Sequence, residues 1–194
     1  MTGLIILAAG GSSRLGFPKQ TLLYKGKMLL ELAIEAGIKS KCHPINIVLG
    51  ANGNAIEDSI SQYNVHIIYN SNWAEGMSSS IRIAIENFQK IDEVDSVIIM
   101  LCDQPFVTRF TINSLIYKQQ ETGKKIVACT YNDIIGVPAL FNRSLFNELL
   151  LLQGQEGAKK ILNNHRNDIA TIPFEKGSID IDTVADYENL IKST

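Results

Sequence analysis

Near its N-terminal end the chain contains the segment Leu4-Ile5-Ile6-Leu7-Ala8-Ala9-Gly10-Gly11-Ser12-Ser13-Arg14-Leu15-Gly16-Phe17-Pro18-Lys19. Its first five residues form an apolar run of strand length, and small residues follow immediately. Continuous apolar runs are typical of parallel strands that are buried on both faces. The segment therefore predicts a first buried strand that ends in a glycine-rich loop.

The rest of the chain alternates short β-branched runs with longer amphipathic stretches. This alternation predicts strands at residues 4–8, 45–49, 65–69, 96–101, 125–130 and 137–141. It predicts helices at residues 28–38, 55–62, 78–88, 111–120, 143–152, 157–164 and 185–191. Such alternation indicates a three-layer α/β/α, Rossmann-like fold with a mostly parallel central sheet. We expect a single domain over residues 1–194, because no repeat or linker-like segment interrupts the pattern.

Composition excludes several classes of protein. The chain has 194 residues, 45% of them hydrophobic, with 18 basic and 20 acidic side chains for a net charge of −2. A nucleic-acid-binding protein would need a basic surface, and a membrane span would need about 20 consecutive apolar residues. The near-neutral charge argues against the first class, and no apolar run of the length needed for the second occurs in the sequence. The three cysteines are widely spaced and form no C-x-x-C pair, which predicts a reducing, cytoplasmic location without disulfides or structural zinc.

The loop after the first strand is suited to an anion. Small residues at positions 8–13 let backbone N–H groups approach a phosphate closely. Arg14 can grip a phosphate with two donors, and Lys19 adds a point charge. The segment is neither a Walker A loop, because Phe17 and Pro18 follow Gly16, nor a G-x-G-x-x-G dinucleotide motif. We interpret it as a cradle of triphosphate size; the alternative is a glycine-rich connection without a ligand.

An acidic residue follows the apolar run 97–102, in the sequence Cys102-Asp103-Gln104-Pro105. A carboxylate at the carboxyl end of a buried strand is well placed to hold a hard cation. Mg²⁺ often takes only one or two protein carboxylates and completes its coordination with substrate phosphates. The alternative for Asp103 is a turn or helix-capping role.

A pair of carboxylates near the C-terminus extends this hypothesis. Asp180 and Asp182 are two residues apart, so they share one side of an extended segment. Either carboxylate could join Asp103 at a metal site, and the sequence leaves open which one does. The alternative is that Asp182 or Thr183 caps the helix predicted at residues 185–191.

The segment Trp73-Ala74-Glu75-Gly76-Met77-Ser78-Ser79-Ser80-Ile81 follows the third predicted strand. A glycine followed by three hydroxyl side chains at a helix start can donate hydrogen bonds to a base or ribose. A serine-capped helix start without a ligand gives the same pattern. For Trp73, a role in a ligand-binding site and a role as a buried structural anchor both agree with the sequence.

Together these motifs resemble the molybdenum cofactor cytidylyltransferases and the related molybdopterin-guanine dinucleotide synthases. The shared opening of these nucleotidyltransferases reads L-A-[AG]-G-x-S-x-R-x-G-x-x-K, and residues 7–19 fit every fixed position. The resemblance extends through residues 76–80, 103–105, 136–138, 154–159 and 180–183. The Ala8-Ala9-Gly10 form resembles members that use a pyrimidine nucleotide, and this distinction rests on Ala9.

The resemblance implies transfer of CMP from CTP to the phosphate of molybdopterin cofactor, with Mg²⁺ as cofactor and release of pyrophosphate. It implies catalytic roles for Lys19, Arg14 and Asp103, and a metal site formed by Asp103 and Asp182. The implied nucleotide-binding residues are Leu7, Ala8, Ala9, Gly10, Gly11, Ser12, Ser13, Arg14, Lys19, Gly76, Met77, Ser78 and Ser79. The implied acceptor-binding residues are Gln104, Pro105, Gly136 and Pro138.

Residues 154–159 depart from the pattern of these families, which usually have Asp and Arg where this chain has Gln155 and Lys159. Lys lacks the two-donor fork with which Arg grips a phosphate, so the acceptor side of the resemblance is the weaker one. Three alternatives follow: a GTP-using guanylyltransferase, a nucleotidyltransferase acting on a sugar phosphate or another small phosphometabolite, and a non-catalytic carrier of the finished cofactor. A molybdenum hydroxylase or its chaperone is a further partner that the resemblance suggests.

Overall fold

The computed structural model describes residues 1–192. Its strands are β1 (Thr2–Ala8), β2 (Leu23–Tyr24), β3 (Lys27–Met28), β4 (Ile45–Leu49), β5 (His66–Tyr69), β6 (Ser96–Leu101), β7 (Ile126–Tyr131), β8 (Ile134–Asn142) and β9 (Ile169–Pro173). Its helices are α1 (Leu29–Ile38), α2 (Gly53–Ile60), α3 (Met77–Gln89), α4 (Arg109–Thr122), α5 (Phe146–Leu150), α6 (Ala158–Asn164) and α7 (Val184–Lys192).

The main sheet has the strand order β5-β4-β1-β6-β8-β7-β9, and β2 and β3 form a separate hairpin. Within the described residues, β8 runs antiparallel to its neighbours β6 and β7, while the remaining pairs of the main sheet are parallel. From β1 the chain first builds one side of the sheet through β4 and β5 and then crosses to β6 on the other side. The carboxyl ends of β1 and β6 therefore flank the point where strand order reverses, which is where such sheets bind ligands.

Helices cover both faces of this sheet. Successive side chains of a strand point to opposite faces, so Leu4 and Ile6 of β1 pack on one side with α1, α2 and α4. Ile5 and Leu7 pack on the other side with α3, α5 and α6. All four side chains are buried. The expected three-layer α/β/α arrangement with a mostly parallel sheet is confirmed.

A third, smaller cluster brings the C-terminal helix to the ligand edge of the sheet. It joins the glycine-rich loop and the β2–β3 hairpin to α7, and its buried members are Leu15, Leu22, Tyr24, Leu29, Ile181 and Leu190. Because Ile181 is anchored in this cluster, its acidic neighbours on either side are held beside the loop.

The structure differs from the sequence-based prediction at four places. The helix predicted at residues 143–152 is a 3-10 turn, Arg143–Leu145, followed by the short helix α5. Prediction missed β9, an edge strand whose terminal Pro173 is tolerated because sheet edges leave some N–H groups unpaired. The β2–β3 hairpin was also missed, since strands of two residues carry no periodicity. The strand predicted at 137–141 is longer than expected and antiparallel.

The three cysteines, Cys42, Cys102 and Cys129, are buried free thiols. Burial raises the pKa of each thiol to about 12, so they behave as small apolar side chains. Among residues 1–192, no helix is both long enough and apolar enough to cross a membrane.

Candidate active site at the carboxyl ends of strands β1 and β6

A cavity of about 460 Å³ opens where β1 and β6 end. The predicted site residues that line it are Leu7, Ala8, Ala9, Gly10, Gly11, Ser12, Ser13, Arg14, Lys19, Gly76, Met77, Asp103 and Asp182. Residues from the two ends of the chain thus meet in one place. The cavity is large enough for a nucleotide-sized ligand.

The glycine-rich loop is held in one shape by hydrogen bonds from its own flanks. Ser12 adopts a left-handed backbone conformation with φ of 51°, which turns the chain sharply. Its carbonyl accepts from the N–H groups of Leu15 and Gly16, at 3.0 and 3.2 Å. Its hydroxyl accepts from the Lys19 N–H at 3.0 Å. The loop is therefore a fixed turn rather than a loose connection.

Gln20 fixes the first half of the same loop, and the sequence analysis missed it. Its side chain is only 1% exposed, and Nε2 donates to the carbonyls of Ala8 and Gly10 at 2.6 and 3.1 Å. Because both partners are carbonyl acceptors, the side-chain amide of Gln20 must point its NH₂ group toward them. Gln20 thus holds carbonyl groups of the loop and leaves the N–H groups of residues 10–13 for a ligand. A single amide next to Lys19 carries no periodic signal that could have revealed this role.

Lys19 joins the loop to two carboxylates from distant parts of the chain. Its ammonium pairs with Asp103 Oδ2 and donates to Asp182 Oδ1 at 2.9 Å. Arg14 donates to Asp182 Oδ2 at 3.1 Å. Lys19 and Asp103 are largely buried, whereas the Arg14 side chain is 70% exposed. The strongest interactions are therefore those around Lys19, because exposed pairs are screened by water.

Burial and charge compete at these groups. Burial disfavours the Lys19 ammonium, but the Asp103 carboxylate outweighs that effect and holds the pKa of Lys19 above its usual range. Burial raises the pKa of Asp103 despite the opposing charge of Lys19. Burial, followed by the charge of Asp103, raises the pKa of Asp180 to about 6. Burial also acts to raise the pKa of the Asp182 carboxyl. The hydrogen bond from Lys19 outweighs burial there, so the pKa of Asp182 is lowered.

The carboxylates of this site fit a divalent cation. Asp103 Oδ1 is buried and has no hydrogen-bond partner within residues 1–192. Asp180 and Asp182 line the same cavity, and carboxylate oxygens are the ligands that Mg²⁺ and Mn²⁺ prefer. The described residues contain no preformed cluster of three or more metal-ligating side chains. That is expected where a substrate phosphate supplies part of the coordination.

Threonines, not these aspartates, occupy the caps of the neighbouring helices. Thr108, not Asp103, caps α4 through its hydroxyl. Thr183 accepts from the Asp186 N–H at 3.2 Å, and the Asp186 carboxylate accepts from the Thr183 N–H at 2.8 Å. The cap of α7 therefore leaves Asp182 facing Lys19. Both Asp180 and Asp182 point to the cavity, as expected for positions two apart.

The hydroxyls of the serines after Gly76 bind groups of the protein itself. Ser78 and Ser79 do not line the cavity. The Ser78 hydroxyl accepts from Arg82 at 3.0 Å, and the Ser79 hydroxyl lies 2.8 Å from the Gly76 carbonyl. Their hydroxyls are satisfied inside the protein because the first turn of α3 is buried. Ser80 does line the cavity, together with Gly76 and Met77.

The predicted acceptor residues, Gln104, Pro105, Gly136 and Pro138, do not line the cavity either. Gln104 is buried, and its Nε2 donates to the carbonyls of Val137 and Gly177, both at 3.2 Å. Gly136 packs so closely on Tyr131 that a side chain there would overlap the phenol ring. Gln104 thereby ties β8 to the turn after β6. Gln155, from the segment that departs from the family pattern, does reach the cavity.

Comparison with known proteins decides the family. A model described as the MobA-like NTP transferase domain matches residues 4–169. The chain belongs to the MobA-like NTP transferase family. It is a nucleotidyltransferase of that family, and the matched residues include the glycine-rich loop and the Asp103 turn but end before Asp182.

Two curated relatives of this MobA-like protein have different names. The molybdenum cofactor cytidylyltransferase of Escherichia coli K12 is 26% identical over 186 residues, covering 94% of this chain and 92% of that protein. Nicotine blue oxidoreductase of Paenarthrobacter nicotinovorans is 34% identical over 113 residues, which are 58% of this chain. The match spans about half, 54%, of that oxidoreductase.

Solved structures agree with the fold. Rv0371c from Mycobacterium tuberculosis H37Rv is 28% identical, with a TM-score of 0.82 and coverage of 100% of this chain and 99% of that one. A complex of the same mycobacterial protein with manganese gives a TM-score of 0.82 at 25% identity, with the same coverage. A molybdopterin-guanine dinucleotide biosynthesis protein A from Archaeoglobus fulgidus, 21% identical, shares the fold with a TM-score of 0.72 over 100% of this chain and 98% of that one.

Proposed function

We propose that this protein transfers CMP from CTP to the terminal phosphate of a molybdopterin-type cofactor and releases pyrophosphate. One observation carries the proposal: the cavity joins a rigid anion-binding loop, two cations and a buried carboxylate with a free oxygen. This combination suits a nucleoside triphosphate that binds together with a divalent cation. A ligand without phosphates would leave the charged end of the cavity unused.

The proposed reaction is an in-line displacement. An oxygen of the acceptor's terminal phosphate attacks the α-phosphorus of CTP, and a new phosphorus–oxygen bond forms. The bond from the α-phosphorus to the oxygen that bridges to the β-phosphorus breaks, and pyrophosphate leaves with the electron pair. The acceptor phosphate is already an anionic nucleophile, so positioning and charge neutralisation supply most of the rate.

The chain's own groups match these needs. The loop at residues 10–13 offers backbone donors to the phosphates, with its shape fixed by Gln20. Lys19 and Arg14 supply positive charge where negative charge accumulates on the leaving pyrophosphate. Asp103 and Asp182 would hold Mg²⁺, which when bound neutralises phosphate charge. Asp180 lines the same cavity and is the alternative second ligand.

Support for CTP and for the acceptor comes from similarity. The full-length similarity to the Escherichia coli cytidylyltransferase and the Ala8-Ala9-Gly10 form of the loop favour CTP. The acceptor is less constrained, because Gln104, Pro105, Gly136 and Pro138 do not line the cavity. A sugar phosphate is therefore the second acceptor to test, and GTP the second nucleotide.

The test is pyrophosphate release with Mg²⁺ and molybdenum-loaded molybdopterin, run in parallel with CTP, GTP, ATP and UTP. We expect release with CTP. Release with GTP alone would overturn the choice of base. If CTP binds but no nucleotide supports release, molybdopterin is the wrong acceptor, and the assay is repeated with sugar phosphates.

The same assay distinguishes the proposed enzyme from a non-catalytic carrier of the finished cofactor. Such a carrier would have no need for Lys19 and Asp103, yet the two form a buried pair at the cavity. A protein that binds molybdopterin cytosine dinucleotide tightly and releases no pyrophosphate would contradict the enzymatic proposal.

A further inference from the structure

Trp73 lies in the wall of the nucleotide cavity without a role in the phosphate chemistry. It is the only tryptophan of the chain, and it begins the 3-10 turn Trp73–Glu75 that follows β5. The side chain is 39% exposed and lines the cavity with Met77, which is 40% exposed. The exposed part of the indole is a flat apolar surface on which a planar ligand group can pack.

Two glycines make room for the indole. A Cβ atom at Gly50, directly after β4, would lie 2.6 Å from the Trp73 Cβ. A Cβ atom at Gly11, in the loop after β1, would lie 3.1 Å from the ring atom Cζ3. Part of the indole is thus fitted against the backbone of the phosphate-binding loop. The exposed remainder adjoins the cavity.

The backbone that carries Trp73 is fixed by a buried polar cluster. Asn70 is 4% exposed, and its Nδ2 donates to the hydroxyls of Ser79 and Ser80 at 2.8 and 2.9 Å. The Asn70 carbonyl accepts from the Trp73 N–H at 3.4 Å, and the Trp73 carbonyl accepts from the Gly76 N–H at 3.1 Å. The serine-rich start of α3 therefore serves to place this turn. The backbone of Trp73 is therefore held in place without a ligand.

We infer that Trp73 is the platform on which the nucleobase stacks. This inference rests on the proposed function, because it requires a nucleoside triphosphate in the cavity. Gly11 adjoins the indole, and Arg14 and Lys19 follow on the same loop, so one ligand can contact both regions: its phosphates the cations, its base the indole. Every nucleobase has a π-face, so Trp73 contributes affinity for the base, while hydrogen-bonding groups discriminate between bases.

Because the chain has one tryptophan, its fluorescence reports on this position alone. The experiment titrates the protein with CTP and, separately, with inorganic tripolyphosphate, each in the presence of Mg²⁺, and follows binding by calorimetry and by tryptophan emission. We expect both to bind and only CTP to quench the emission. An equal emission change with both, or CTP binding without any change, would overturn the inference. Failure of CTP, GTP, ATP and UTP to bind at all would overturn the proposed function with it.

A matched set of variants separates stacking from loop support. Trp73→Leu should weaken CTP binding by about 10-fold or more, since base stacking is lost, and should leave the affinity for tripolyphosphate unchanged. Trp73→Phe keeps an aromatic face and should retain most of the affinity for CTP. In turnover the Leu variant should raise KM and leave kcat nearly constant. Equal losses for CTP and tripolyphosphate would mean that Trp73 only supports the loop, which contradicts the inference.

Discussion

The Lys19 ammonium pairs with the Asp103 carboxylate across 84 positions of the chain. One group comes from the loop after β1 and the other from the turn after β6, the two strands that flank the reversal of strand order. The pair therefore places a cation and a carboxylate at the point of the sheet where substrates bind. Because both groups are largely buried, losing Lys19 leaves the Asp103 carboxylate without its counter-charge, whereas losing Asp103 leaves Lys19 paired with Asp182 alone.

Replacing Lys19 tests its contact with the phosphates. We expect Lys19→Met to weaken CTP binding by about 10- to 100-fold, since a charge-assisted contact contributes about 1.5–3 kcal/mol. Calorimetry with CTP and Mg²⁺ measures the loss, and circular dichroism checks the fold. Lys27→Met is the matched control, because Lys27 pairs with Glu35 and does not line the cavity. Equal affinities of the Lys19 variant and the parent would remove Lys19 from the proposed site.

The same variant tests the carboxylates independently of turnover. In the absence of nucleotide, the Lys19 ammonium pairs with both Asp103 and Asp182. We expect Mn²⁺ to bind more tightly to Lys19→Met than to the parent protein, because the cation no longer competes with an ammonium. Electron paramagnetic resonance of free Mn²⁺ measures the affinity. Weaker or unchanged binding would show that these carboxylates are not the cation ligands.

Asp103→Asn should reduce turnover strongly while the fold persists. The substitution keeps the size of the side chain and removes the charge that holds the cation, so we expect a loss on the order of 10²–10³-fold in kcat. Steady-state pyrophosphate release measures it. The surface variant Asp58→Asn on α2 serves as the control. Activity near that of the parent would contradict the role given to Asp103.

The fold was predictable wherever the hydrophobic pattern was continuous. Strand β1 alternates its side chains between two buried faces, so it reads as one apolar run, and the run itself indicates a parallel sheet. The apolar pattern of β8 did not predict its direction, because whether a strand runs parallel or antiparallel depends on the strands with which it pairs. Strand β9 escaped prediction since Ile169–Pro173 is an edge strand of mixed character.

The residues of the candidate site also differ in how far the sequence revealed them. The loop and Asp103 were predictable because small residues and a carboxylate are conspicuous after apolar strands. The role of Ser79 was not predictable, since a hydroxyl that binds a ligand and one that binds a backbone carbonyl look the same in the sequence. Gln20 was invisible because its role arises only when the loop folds back over its side chain.

Gln20 offers a test of loop positioning. Gln20→Met preserves the volume but leaves the carbonyls of Ala8 and Gly10 without their donor. Such a loss costs about 1–3 kcal/mol, so we expect a lower midpoint of urea unfolding and weaker CTP binding. Gln62→Met, at an exposed position, is the control. If the variant lost stability but kept its affinity for CTP, Gln20 would support the fold without shaping the loop.

Glu35 provides a pH test away from the site. Hydrogen bonds from Lys27 and then Lys39 lower the pKa of this carboxyl from 4.5 to about 2. A folded-state pKa below the unfolded one stabilises the protein above pH 4.5, and that contribution is lost as the pH falls toward 2. The stability difference between the parent and Glu35→Gln should therefore be largest near neutral pH and shrink between pH 5 and 2. Urea unfolding across this range measures it, and 1 M salt should reduce the difference at pH 7. A difference that stayed constant through the acid range would show that the two lysines do not stabilise the ionised carboxylate.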